Sequence, residues 1–122
     1  MDARSNGTQA LDELTARVEA FVEARDWAQF HSPKNLSMAL AGEVGELIEH
    51  FQWLTQNQSR NLPEDTHEAV RQEIADVQIY LLLLARKLDI DLLAAASDKL
   101  EINIRKYPVE KARGNARKYS DL

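Results

Sequence analysis

Acidic side chains stand within the apolar stripes of two helices, and this constrains the fold more than any other feature. Leu36, Leu40, Leu47 and Leu54 recur at helical spacing, with Glu43 at the edge of their arc and Glu46 continuing that edge. Val70, Val77, Tyr80 and Leu84 form a second stripe, with Glu73 near its middle and Asp76 three residues on. Residues three apart on a helix differ by roughly 60° and face the same side. A carboxylate on an inward face costs on the order of several kcal/mol unless positive charge compensates it. A single Glu-x-x-Glu reads as a solvated helix face. Two such pairs on successive helices, both on the core side, point instead to four acids converging on a cation.

The donor set narrows the cation. Oxygen ligands favour magnesium, manganese or calcium over zinc or copper. A carboxylate di-iron bundle needs Glu-x-x-His on two helices, and here only Glu64 to His67 has that spacing. Magnesium leaves positions that substrate phosphates complete, and it neutralises charge on a phosphoryl group. The chain has no Gly-rich P-loop, so phosphates must be held by metal and side chains.

Lys99, Asn103 and Lys106 share one stripe of a late helix and are candidate phosphate partners. Taken alone they read equally as a solvated basic face. Tyr80, one turn beyond Asp76, offers a hydroxyl to a phosphate or packs inward. Trp27, Phe30 and His31 flank the first connection, and Trp53 ends the second helix on the side of Glu46. Flat rings stack on a nucleobase for ~1–3 kcal/mol; core filling is the plain alternative. His31 and His50 read as polar edge residues rather than metal ligands.

The periodicity predicts four helices and no strand. The first runs from an N-cap at Thr8 to about Ala28, and Gln29 to Asn35 forms a connection. The second covers roughly Leu36 to Leu54, and the polar stretch Gln56 to Pro63 reads as a mobile loop. The third starts at Glu64 or Glu68 and ends near Leu88, with a tail apolar on two faces that suits burial against another subunit. Asp89 or Asp91 caps the fourth, Leu92 to about Lys106, which stops near Pro108. Expected organisation is a flexible N-terminus (1–7), a helical domain (8–108) and a basic tail (109–122). Gly42 and Gly45, beside the acids, leave room for a neighbouring helix or a ligand.

A length of 122 residues supports one domain. The net charge of −5 argues against binding a nucleic acid polymer. With no cysteine, disulfides, thiolate metal sites and cysteine nucleophiles are excluded. The first ten residues lack a signal-peptide core, and the richest apolar run, Ile79 to Ala85, falls short of the roughly 18 residues a membrane span needs. A cytoplasmic protein without a membrane partner is expected.

Motifs across nearly the whole chain from about Leu11 resemble the MazG-like all-α nucleoside triphosphate pyrophosphohydrolases. Their signature is Glu-x-x-Glu, a gap, then Glu-x-x-Asp, which Glu43, Glu46, Glu73 and Asp76 match. Arg25-Asp26-Trp27, Gln29-Phe30-His31, Asn35-Leu36, Phe51-Gln52-Trp53, Ile79-Tyr80-Leu81, Ile102-Asn103 and Tyr107-Pro108 are similar to the dCTP pyrophosphatase branch. Vertebrate members of that branch carry a histidine where this chain has Val18. The resemblance implies a four-helix bundle assembled as a homo-oligomer, dimer or tetramer. It implies a nucleoside triphosphate as substrate, split between the α and β phosphates, dCTP or a modified dCTP foremost. Glu43, Glu46, Glu73 and Asp76 would be catalytic and hold magnesium, with manganese a possible substitute. Trp27, His31, Asn35 and Trp53 would meet the nucleoside, and Tyr80, Lys99 and Asn103 the sugar or phosphates. A dUTP-preferring or broad house-cleaning pyrophosphatase is the alternative within this class. A non-enzymatic helical oligomerisation module is the alternative outside it.

Overall fold

Capping chemistry decides where each helix of this chain begins and ends. The computed structural model describes residues 6–122, and all their regular secondary structure is helical. In chain order the helices are α1 (Asn6–Ala24), α2 (Pro33–Glu49), the single turn α3 (Gln56–Ser59), α4 (Glu64–Lys87), α5 (Leu92–Lys106) and the single turn α6 (Val109–Ala112). The four long helices are those the periodicity predicts, and the class is all-α. Of the expected flexible N-terminus, residues 1–5 lie outside the described residues; Asn6 and Gly7 are already helical.

Helix α1 stops four residues before the predicted Ala28. Asp26 takes a left-handed conformation (φ 54°). Its N–H donates to the Glu23 carbonyl at 3.0 Å, and the Trp27 N–H donates to the Val22 carbonyl at 3.1 Å. This is a Schellman cap with aspartate in the place usually held by glycine. A 3-10 turn over Ala28–Phe30 follows. Helix α2 then starts at Pro33 rather than Leu36. Proline suits the first helical position, where no N–H partner is needed, and the Ser32 hydroxyl accepts the Asn35 N–H at 3.1 Å.

The stretch expected as a mobile loop contains ordered structure. Gln58 N–H donates to the Thr55 hydroxyl at 3.1 Å, and Thr55 N–H donates to the Gln58 side-chain oxygen at 2.9 Å. This reciprocal capping box opens α3. Helix α5 starts as predicted, with the Asp91 carboxylate accepting the Ala94 N–H at 3.0 Å.

Two compact units divide the chain after Asp89. In the first, α4 packs along α2 and against α1. Its core is Val18, Val22, Leu36 and Leu83, with Leu14, Ile79, Tyr80 and Leu84 against it. Leu36 is 1% exposed and anchors α2 to this core. An ion pair of 3.1 Å between Arg86 and Glu19 adds a surface tie, worth little beside the apolar contacts. The second unit, Ile90–Leu122, holds α5 and α6. The segment read as a tail is fastened there: the Tyr119 ring meets Tyr107 edge-on at 6.2 Å, and the Lys106 ammonium lies 4.5 Å from its centroid.

Large apolar side chains remain exposed on the long helices. Ile74 and Leu81 on α4 and Leu88 at its C-cap recur every seven residues, and Met38 and Ile48 line α2. Among the described residues no helix is long and apolar enough to cross a membrane.

Candidate metal centre

Packing of α2 along α4 brings Glu43, Glu73 and Asp76 together. One carboxylate oxygen from each lies within 4.8 Å of the other two. Glu43 and Glu73 are half-buried and Asp76 is exposed, so the cluster opens to solvent on the Asp76 side. The Oε2 atoms of Glu43 and Glu73 are buried and accept no hydrogen bond. Buried acceptors are nearly always satisfied, and leaving one without a donor costs about 1–3 kcal/mol, more when it is charged.

Crowding shows in the protonation of Glu43. Its pKa rises from 4.5 to about 7. Burial is the main cause, followed by repulsion from the charges of Glu46 and Asp76 and by carboxyl contacts with Glu73 and Glu46. Glu46 is itself exposed and lies outside the trio, at the rim of the cluster.

The residues fit a hard divalent cation on two grounds. Oxygen ligands across such an ion stand roughly 4–5 Å apart, given bonds of about 2.0–2.6 Å. A cation would also give both orphaned oxygens the partner that the protein does not supply, and it would offset the repulsion. Calcium and magnesium take such ligands; a zinc site would favour nitrogen or sulfur.

The other candidate residues are placed as follows. Trp53 follows α2 and is 86% exposed, so it fills no core within the chain. Trp27 is about half exposed and touches Phe21. His31 is half-buried, and its Nδ1 is buried without a hydrogen-bond partner. The Asn35 side-chain amide donates to the Phe30 carbonyl at 3.0 Å, closing the turn before α2. Tyr80 packs on the core beside Ile79. Lys99, exposed, and Asn103, half-buried, stand one turn apart on α5 in the second unit. A Cβ at Gly42 or Gly45 would meet nothing within 4 Å, so both face open space rather than a helix of this chain.

The MazG-like family model matches residues 39–122. The human dCTP pyrophosphatase 1 is 43% identical over 114 residues, covering 92% of this chain and 67% of the relative. The mouse protein of the same name is 42% identical with the same coverage. Among solved structures, a pyrophosphatase from Archaeoglobus fulgidus superposes with a TM-score of 0.79 at 36% identity, covering 88% of this chain and 98% of its own. The family match takes in α4 and all four acids, and the archaeal likeness extends over both units. This chain belongs to the MazG-like family.

Proposed function

We propose that this protein is a divalent-metal-dependent nucleotide pyrophosphohydrolase acting on dCTP or a modified dCTP. Water adds at phosphorus, the α–β phosphate link breaks, and dCMP and pyrophosphate are the products. The observation that carries this reading is the pair of buried, unpartnered oxygens on Glu43 and Glu73 beside Asp76. Relatives named dCTP pyrophosphatase supply the substrate class. They also displace the alternative of a non-enzymatic oligomerisation module.

Glu43, Glu73 and Asp76 would hold the cation, with Glu46 joining from the rim. Magnesium, or manganese in its place, would when bound neutralise the triphosphate and acidify water near it. The chain's own groups do the remaining work. The carboxylates fix the position at which phosphates enter. The faces of Trp27 and Trp53 take the base by stacking, with His31 and Asn35 beside the nucleoside. Lys99, Asn103 and the Tyr80 hydroxyl serve sugar and phosphates, the ammonium offsetting charge as pyrophosphate departs.

Assembly completes the picture. Exposed Ile74, Leu81 and Leu88, seven residues apart, support a homo-oligomer in which a second copy of the chain covers that surface, and a cytoplasmic location is proposed. The test is pyrophosphate release across a panel of dCTP, 5-methyl-dCTP, dUTP and the ribonucleotides, with and without magnesium. Magnesium-dependent release, fastest with the cytosine deoxynucleotides, supports the proposal. Faster turnover of dUTP, or uniform turnover, would replace the substrate assignment; no release from any member would overturn the activity.

A further inference from the structure

The end of α1 carries a three-layer stack that the sequence pattern did not single out. The Trp27 ring meets Phe21 edge-on, with centroids 5.5 Å apart and planes at 78°. The Arg25 guanidinium lies 3.8 Å from the Phe21 ring centroid, and its Nη1 donates to the Phe21 carbonyl at 3.0 Å. Backbone bonds hold Trp27 as well. Its N–H donates to the Val22 carbonyl at 3.1 Å, and its carbonyl accepts the Phe30 N–H at 2.9 Å. The Gln29 amide in turn bonds the Asp26 carbonyl at 3.1 Å and carboxylate at 3.0 Å, locking the left-handed residue before the tryptophan.

Contact between the residue after a Schellman cap and the helix's last apolar turn is common and by itself only structural. Two features here go further. Phe21 and Trp27 are 47% and 44% exposed and stand outside the core cluster, so their contact is not core packing. Holding an exposed tryptophan at its backbone and its ring spends conformational entropy without a matching return from burial. A return comes when a ligand meets a ring already in place, since preorganisation lowers the cost of binding.

We infer that Phe21 and Arg25 are positioning residues that set the angle of the Trp27 ring as a base-stacking platform. This rests on the reading above that Trp27 meets the nucleobase. Phe21 fixes the ring by its edge contact, and Arg25 fixes Phe21 from the next layer through a cation–π contact. Such a contact is weak at an exposed site, so losing Arg25 has the smaller effect.

The experiment measures kcat and KM for dCTP, and inhibition by inorganic pyrophosphate, which has no base, for Phe21→Leu, Phe21→Tyr, Arg25→Gln and Trp27→Ala. Phe21→Leu raises KM about fivefold with kcat and the pyrophosphate Ki within about twofold, a fraction of the loss expected from removing one stacking ring. Phe21→Tyr restores KM, and Arg25→Gln raises it about twofold. Phe21→Leu raising KM and Ki together would show a structural role only and overturn the inference. A raised KM in Trp27→Ala with none in Phe21→Leu or Arg25→Gln would overturn the inference while leaving the platform standing. An unchanged KM in Trp27→Ala would remove the platform itself, and the inference with it. Should Phe21→Leu fold poorly, Arg25→Gln carries the same comparison, because Arg25 is exposed.

Discussion

Glu43 on α2 and Glu73 on α4 each present a buried Oε2 that no donor reaches, within the same cluster as Asp76. In a stable fold such an arrangement is unfavourable by itself: like charges gather, and two buried oxygens have no partner among the described residues. A divalent cation inverts each of those penalties, which is why the arrangement is read as a binding site rather than a packing fault.

Removing one charge from the cluster should stabilise the metal-free protein while ending its activity. Glu73→Gln keeps the shape and removes one negative charge from the crowded cluster. Its metal-free Tm should rise by about 3–6 °C, the shift expected for roughly 1 kcal/mol in a domain of this size. Differential scanning calorimetry with and without magnesium checks this, together with loss of pyrophosphate release. A variant that is less stable and still active contradicts the assignment.

The raised Glu43 pKa has a definite sign in stability. Between 4.5 and about 7 the folded state retains a proton that the unfolded chain has released. Stability of the metal-free protein therefore falls as pH rises through that window. Magnesium competes with the same proton, so its affinity should increase about tenfold from pH 6 to pH 8. Urea denaturation of metal-free protein and magnesium titrations at both pH values test the two halves separately.

Core packing offers a control far from charge chemistry. Leu36 is the most enclosed side chain, at the meeting of α2 with Val18, Val22 and Leu83. Leu36→Ala should cost about 2–5 kcal/mol, read from a urea midpoint with an unchanged slope. A loss below 1 kcal/mol would show that α2 is not anchored there.

Oligomerisation should depend on the exposed heptad row of α4. Leu81→Glu places a charge in that row without entering the core of the chain. Light scattering behind size exclusion should show wild type as a multiple of 13.9 kDa and the variant shifted toward that mass, with helicity retained. An unchanged assembly would move the interface elsewhere.

How much of this was legible in the sequence follows from the range of the forces involved. Helix α5 could be placed closely because an aspartate, Asp89 or Asp91 from the sequence and Asp91 in the structure, caps it locally and Pro108 follows it. Glu73 could be placed inward because its neighbours on the stripe define the buried face without reference to other helices. Pro33 misled, since proline both breaks helices and opens them, and the decision rested on the Ser32 hydroxyl reaching Asn35. The early end of α1 was hidden because aspartate rarely takes the left-handed cap position. Thr55-x-x-Gln58 was a readable capping box that a general impression of polarity obscured. The position of Glu46, in contact with Glu43 but outside the trio, was beyond periodicity altogether. Glu43 and Glu46 share a helix face, and only the line along which α4 lies on α2 decides which of them meets Glu73.

Magnesium titration by isothermal calorimetry at pH 7.5, on the wild type and Glu73→Gln side by side, is the most direct test of the metal centre. Saturable binding in the wild type and its loss in the variant is the predicted result. Equal binding in both proteins, or none in either, would contradict a cation held between α2 and α4.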